Sequence, residues 1–134
     1  MREMLPFVDT ILPGIDEARL LVDEQEPERI AAAIMGHGVR SVILKAGERG
    51  AFAFTPSGNA HCDQFRLAEM VDPIGAGDAF DAGYLTAHLE GLPLEECLRW
   101  GHAVAARVCQ TVGDWEGLPR REELERFLAE HGGG

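Results

Sequence analysis

Two glycines one residue apart and followed at once by an acid form an unusual chemical neighbourhood, and the chain carries one at Gly75-Ala76-Gly77-Asp78. The residues after it, Ala79, Phe80, Ala82, Tyr84, Leu85, Ala87 and Leu89, describe a helix that is apolar almost all round. The first N–H groups of a buried helix need acceptors, and the aligned peptide dipoles favour an anion in that place. Gly75 and Gly77 let the backbone approach a phosphate closely. A phosphate would repel Asp78, so the acid there asks for a role that needs a base. A carboxylate so placed can take the proton of a hydroxyl as its oxygen attacks a terminal phosphoryl group, while the N–H groups stabilise the developing charge. A plainer account also fits a lone G-x-G-D: Asp favours the first turn of a helix, and glycines make tight turns. The flanking residues decide between the two.

Those four residues must be held between a strand and a helix, and the rest of the chain supplies such elements. Phe7-Val8-Asp9-Thr10-Ile11-Leu12 reads as a buried strand closed by Pro13-Gly14, followed by helical spacing from Ile15 to Val22. Pro27 starts a second helix that runs to Met35 and is ended by Gly36 and Gly38, and Ser41 to Lys45 is the next strand. Strand, helices and strand in this order, with nearly continuous apolar strands, predict a βαβ crossover in a parallel sheet covered on both faces. Ala51 to Thr55, a turn at Pro56-Ser57-Gly58-Asn59, and Ala60-His61-Cys62 predict a hairpin, with a further strand over Phe65 to Val71. Helices are expected from about Ala76 to Glu90, Leu94 to Thr111 and Arg121 to Ala129, punctuated by Gly91 and Gly113.

Composition narrows the classes of function. With 134 residues, 46% hydrophobic and 26% charged, the chain suits one folded domain. A net charge of -11 argues against nucleic acid or an anionic membrane as partner, so any phosphate must be held locally. The three cysteines, Cys62, Cys97 and Cys109, follow neither a disulfide nor a zinc spacing, and His37, His61, His88, His102 and His131 form no ligand-spaced set. With no long apolar run and no signal-like start, a cytoplasmic protein is expected.

The stretch Asp72-Pro73-Ile74-Gly75-Ala76-Gly77-Asp78-Ala79-Phe80-Asp81-Ala82-Gly83, continuing to Leu85, resembles the C-terminal signature of the ribokinase-like (pfkB) carbohydrate kinase family. The likeness extends over the chain: Leu12 to Ala18 is similar to the family segment leading to an acidic residue, and Val42 to Ala51 to its strand and nucleotide loop. The resemblance implies an α/β fold, the C-terminal part of a three-layer α/β/α architecture with a mostly parallel sheet. Residues 1–134 would be the nucleotide-binding half, without the N-terminal sugar-binding half and its lid. It further implies that Gly75, Ala76 and Gly77 form an anion hole, that Asp78 is the catalytic base and contacts the acceptor, and that ATP and Mg2+ are cofactors. Ala46, Gly47, Glu48, Arg49, Gly50, Ala51 and Phe52 would line the ATP site, and His102 would meet its adenine end. Glu17 would organise magnesium indirectly, through water. On the residues alone, Glu17 also reads as a solvated helix charge and His102 as a packing residue of an apolar helix. The pattern departs at Gly14, where many members carry Asn.

Asp72-Pro73 and Gly113-Asp114-Trp115-Glu116-Gly117-Leu118-Pro119 are most similar to the 2-keto-3-deoxygluconate kinase branch, which implies a sugar acid as substrate and Asp114 as a contact to it. Asp114 reads equally as a turn former on local grounds. A chain of this kind would leave sheet edges and an apolar helix face uncovered, so a homo-oligomer or a complementing N-terminal half is the expected partner. The start, Met1-Arg2-Glu3, resembles the interior of a family member. The competing expectation is a catalytically silent nucleotide-binding or oligomerisation module. A dinucleotide-binding fold is disfavoured because Gly75-Ala76-Gly77 is followed by Asp78 without completing G-x-G-x-x-G, and no acidic ribose-binding residue stands at the expected distance.

Overall fold

A computed structural model describes residues 9–64, 76–109 and 121–130. The chain divides into two compact units, Met1–Cys62 and Asp63–Gly134.

In the first unit, strand β1 (Thr10–Ile11) leads through helices α1 (Ile15–Leu21) and α2 (Pro27–Met35) to strand β2 (Ser41–Lys45), and a short 3-10 turn (Gly47–Arg49) leads to the hairpin of β3 (Ala51–Thr55) and β4 (Gly58–Cys62). Pro27 occupies the start of α2, where its missing N–H costs no helical bond, and Gly36 caps its end. β1 pairs with β2 in parallel, Thr10 facing Ser41 and Ile11 facing Val42, which is the expected crossover. The described sheet has the order β1-β2-β3-β4; β3–β4 is the expected antiparallel hairpin, but β2–β3 is antiparallel as well, so the described sheet is mixed rather than mostly parallel. The connections explain the difference, because a parallel neighbour needs a long crossover and these links are only short turns. The hairpin turn is also tighter than expected. Thr55 pairs with Gly58, so Gly58 and Asn59 belong to β4 and only Pro56 and Ser57 lie in the loop. The positive φ of Gly58, 142°, makes the entry into β4 possible there.

Alternation of side chains sorts the sheet into two faces. Val42 and Leu44 share one face with their partners Phe54 and Phe52, and this face packs with Ala18, Leu21, Ile30, Ala31 and Ile34 of α1 and α2. Ile43, Ala51 and Ala53 point the other way and are also fully buried. β2 is therefore covered on both faces, as its apolar run implies.

The second unit contains α3 (Ala76–Leu89), α4 (Leu94–Cys109) and α5 (Arg121–Glu130). α3 buries one face, Ala79, Phe80, Gly83, Tyr84 and Ala87, while Leu85 and Leu89 are exposed. The helix is thus apolar on more sides than are covered. α3 ends in a Schellman motif: the Leu92 N–H donates to the Ala87 carbonyl, the Gly91 N–H to that of His88, and Gly91 has φ 76°. α3 and α4 approach at their backbones. A Cβ on Gly83 would lie 2.6 Å from the Trp100 carbonyl oxygen, and one on Gly101 would lie 2.6 Å from the Phe80 ring. α5 joins through Arg99, whose guanidinium donates to the Leu128 carbonyl at 2.8 Å. Among the described residues no helix is long and apolar enough to cross a membrane. The expected strand over Phe65 to Val71 lies outside the described residues, as do Phe7 and Val8.

Candidate active site

The first unit gathers its candidate residues at the C-terminal ends of β1 and β2, the edge at which open α/β sheets bind ligands. Lys45 donates its N–H to the Pro13 carbonyl at 2.9 Å, and Gly14 bridges Lys45 in parallel register. Gly14 then caps α1, and its N–H donates to Glu17 Oε1 at 3.2 Å. This is half of a capping box, since Gly14 has no side chain to return the bond. Glu17 is exposed on the first turn of α1, and its carboxylate is anchored to the loop through the Gly14 N–H. The departure at Gly14 acquires a local meaning: a Cβ there would stand 3.1 Å from Glu17 Oε1 and press on that carboxylate.

The segment expected to line the nucleotide site, Ala46 to Phe52, folds as a closed loop. The Ala46 N–H donates to Gly50 O at 2.8 Å, Arg49 N–H to Ala46 O and Gly50 N–H to Gly47 O, both at 3.0 Å. Gly47 and Gly50 have φ of 56° and 86°, and these two positions need glycine for that reason. Ala46 and Ala51 are buried, whereas Gly47 and Arg49 face out; the side chain of Glu48 lies outside the description. Arg49 pairs with Glu26 at 3.4 Å and its guanidinium lies 5.8 Å from the centre of the Phe52 ring. Both groups of the ion pair are exposed, so its contribution is modest. A cleft of about 400 Å³ is lined by Glu26, Pro27, Glu28, Arg29, Arg49 and Phe52.

In the second unit Ala76, Gly77 and Asp78 form the first turn of α3, with Gly77 and Asp78 exposed. Gly75 lies outside the described residues, and so does Asp114. His102 is 8% exposed and sets its ring edge-on to Phe80, 5.0 Å between centres. Its surroundings are those of a packing residue. Tyr84 stacks between Phe80 and His88, and burial, with a smaller contribution from nearby Cys97, pushes its phenol up to about 12. Burial likewise raises the Cys97 thiol.

Two residues of consequence carry little signal in the sequence. Gly101 sits inside a helical pattern, where glycine costs about 1 kcal/mol relative to alanine and so hints at a packing reason. His61 is one isolated histidine in a strand, yet its Nε2 lies 2.7 Å from the carbonyl oxygen of Arg49.

The chain is 35% identical over 129 residues to the 2-dehydro-3-deoxygluconokinase of Bacillus subtilis, covering 96% of this chain and 40% of that protein. It is 33% identical over 116 residues to the cytidine kinase of Thermococcus kodakarensis, covering 86% and 42%. Among solved structures, a candidate ribokinase II from E. coli in complex with ATP and Mg2+ superposes with a TM-score of 0.88 at 31% identity, over 97% of this chain and 42% of that one. Arabidopsis thaliana ribokinase complexed with ribose and ATP superposes with a TM-score of 0.87 at 28% identity, over 95% and 43%. The chain spans about two-fifths of the length of these relatives. The sequence profile of the pfkB family carbohydrate kinases matches residues 1–121, and the chain belongs to that family.

Proposed function

We propose that this chain is the C-terminal, nucleotide-binding half of an ATP-dependent kinase that phosphorylates a hydroxyl of a sugar or sugar acid, most specifically 2-keto-3-deoxygluconate. The observation that carries the reading is the exposed carboxylate of Asp78 in the first turn of the 14-residue helix α3, the end at which the helix dipole favours an anion. In this reading the N–H groups of Gly75, Ala76 and Gly77 receive the charge that develops on the transferred phosphoryl group. Asp78 orients the acceptor hydroxyl and takes its proton. The loop from Ala46 to Phe52 holds the nucleotide, with the open space around Gly47 leaving its backbone approachable, and His102 presents its remaining accessible edge to the adenine end.

In this reading Mg2+ is contacted indirectly, with Glu17, exposed on the first turn of α1 and held by the Gly14 N–H, acting through water. Mg2+, when bound, neutralises charge on the phosphates. The choice of sugar acid rests on Asp114, carried over from the resemblance, and on the similarity to the 2-dehydro-3-deoxygluconokinase of Bacillus subtilis, whose name denotes the same sugar acid. The exposed Leu85 and Leu89 support a homo-oligomer or a complementing N-terminal half as partner, in a cytoplasmic protein completed to the three-layer α/β/α fold.

The test is calorimetric titration of the chain with magnesium-ATP, alongside Gly75→Val, and then a kinase assay with the N-terminal half of a family member supplied. We expect binding that Gly75→Val abolishes, and turnover that Asp78→Asn lowers by about 10²–10⁴-fold. The competing reading is a catalytically silent nucleotide-binding or oligomerisation module. ATP binding without any phosphorylation in the complemented assay would decide for it.

A further inference from the structure

We infer that His61 is a positioning residue for the loop from Ala46 to Gly50, fastening it to strand β4. The loop closes through three backbone bonds, Ala46 N–H to Gly50 O, Arg49 N–H to Ala46 O and Gly50 N–H to Gly47 O. None of these ties it to the neighbouring strands' side chains. His61 supplies such a tie as a hydrogen bond, its Nε2 standing 2.7 Å from Arg49 O. A carbonyl oxygen only accepts, so Nε2 carries the hydrogen and donates it.

The ring is itself held. His61 lies opposite Phe52 in the β3–β4 register, and the two ring centres are 4.5 Å apart. Cross-strand aromatic pairs of this kind stabilise a hairpin and fix the direction in which the imidazole points. Arg49 contributes at both ends of the device: its carbonyl takes the imidazole bond, and its guanidinium packs on the same Phe52 ring and reaches Glu26 at the start of α2. A loop whose glycines at 47 and 50 admit many conformations is thereby limited to one by a side chain twelve residues further along the chain. If the loop binds nucleotide, as proposed above, His61 lowers the ordering that binding would otherwise demand.

The experiment uses the whole chain with His61→Phe, which keeps a ring against Phe52 and removes the donor, and His61→Gln, which keeps a donor. Amide hydrogen exchange without nucleotide reads the fastening directly. We expect His61→Phe to speed exchange at Ala46, Arg49 and Gly50 by about fivefold to tenfold, the weight of one typical hydrogen bond, while the β2–β3 ladder is unchanged and His61→Gln recovers most of the protection. Unchanged exchange at those amides in a folded His61→Phe chain would overturn the inference. ATP affinity then reads the consequence: it should weaken in His61→Phe by a similar factor and return in His61→Gln. Loosened amides with an unaltered ATP affinity would remove the positioning role. Absence of ATP binding by the wild-type chain would instead overturn the nucleotide reading, and is distinguishable because exchange is measured without nucleotide.

Discussion

The first unit is held by side chains that fill space, and the second by side chains that are missing. Around β2 the core consists of Ile30, Ile34, Val42, Leu44 and Phe54, long or branched residues that separate helices from sheet. Between α3 and α4 the decisive positions are Gly83 and Gly101, where any Cβ would meet a carbonyl oxygen or a ring at 2.6 Å. Both are close-packed solutions to burial, but they fail in opposite directions: one when an atom is removed, the other when an atom is added.

Ile34→Ala sharpens this most. The residue is completely buried, and its truncation should destabilise the chain by about 2–5 kcal/mol in chemical denaturation. Gly83→Val adds volume at the helix crossing and should cost about 1–3 kcal/mol, despite the better helix propensity of the new residue. A neutral Gly83→Val would break the comparison. Gly47 is a third kind of glycine, since it has φ 56° and nothing within 4 Å of a would-be Cβ. Its replacement by valine should cost about 1–2 kcal/mol through backbone conformation alone, and asparagine, which tolerates that region, should recover much of the loss. No such relief should appear at Gly83, where the obstacle is contact.

The smallest effect at neutral pH belongs to Tyr84. It is the chain's single tyrosine, so ultraviolet absorbance of the phenolate reports on it alone. The folded state holds its pKa near 12 against 10.0 for the free side chain, because burial disfavours the anion. Folding therefore favours the protonated form: this contribution is fully present below pH 10 and is lost as pH rises from 10 towards 12. A midpoint near 10 in the folded chain would contradict the burial of the α3–α4 seam.

These contrasts also show what the sequence could reveal. The bounds of α2 and β2 and the start of α4 are legible because Pro27, Gly36 and Pro93 act locally on the backbone. The β3–β4 hairpin is legible from its turn residues, but the antiparallel pairing of β2 with β3 is less so, since Ala51 to Thr55 has the same apolar texture as a parallel strand and only the shortness of the connection decides. The apolar circumference of α3 announces burial without saying which side is covered, and the structure selects the side of Gly83. Asp78, Glu17 and the loop glycines were visible as chemistry, because charge and conformational freedom belong to the residue itself. The anchoring of Glu17 to Gly14 and of His61 to Arg49 was not, because those bonds depend on where the chain returns. Gly75 and Asp114 lie outside the described residues, and the roles proposed for them come from the resemblance alone.

The two-residue loop at Pro56 and Ser57 has a kinetic consequence. Thr55 closes it locally, donating its hydroxyl to Gly58 O at 2.8 Å, whereas β1 finds β2 only after the chain has passed through α1 and α2. Short closures form in microseconds and long ones must first overcome the entropy of the intervening chain. We expect the hairpin to be the nucleus on which the sheet condenses, with β1 the last strand to join. Thr55→Ala should then slow folding while leaving the unfolding rate nearly untouched, and a change confined to unfolding would place the nucleus elsewhere.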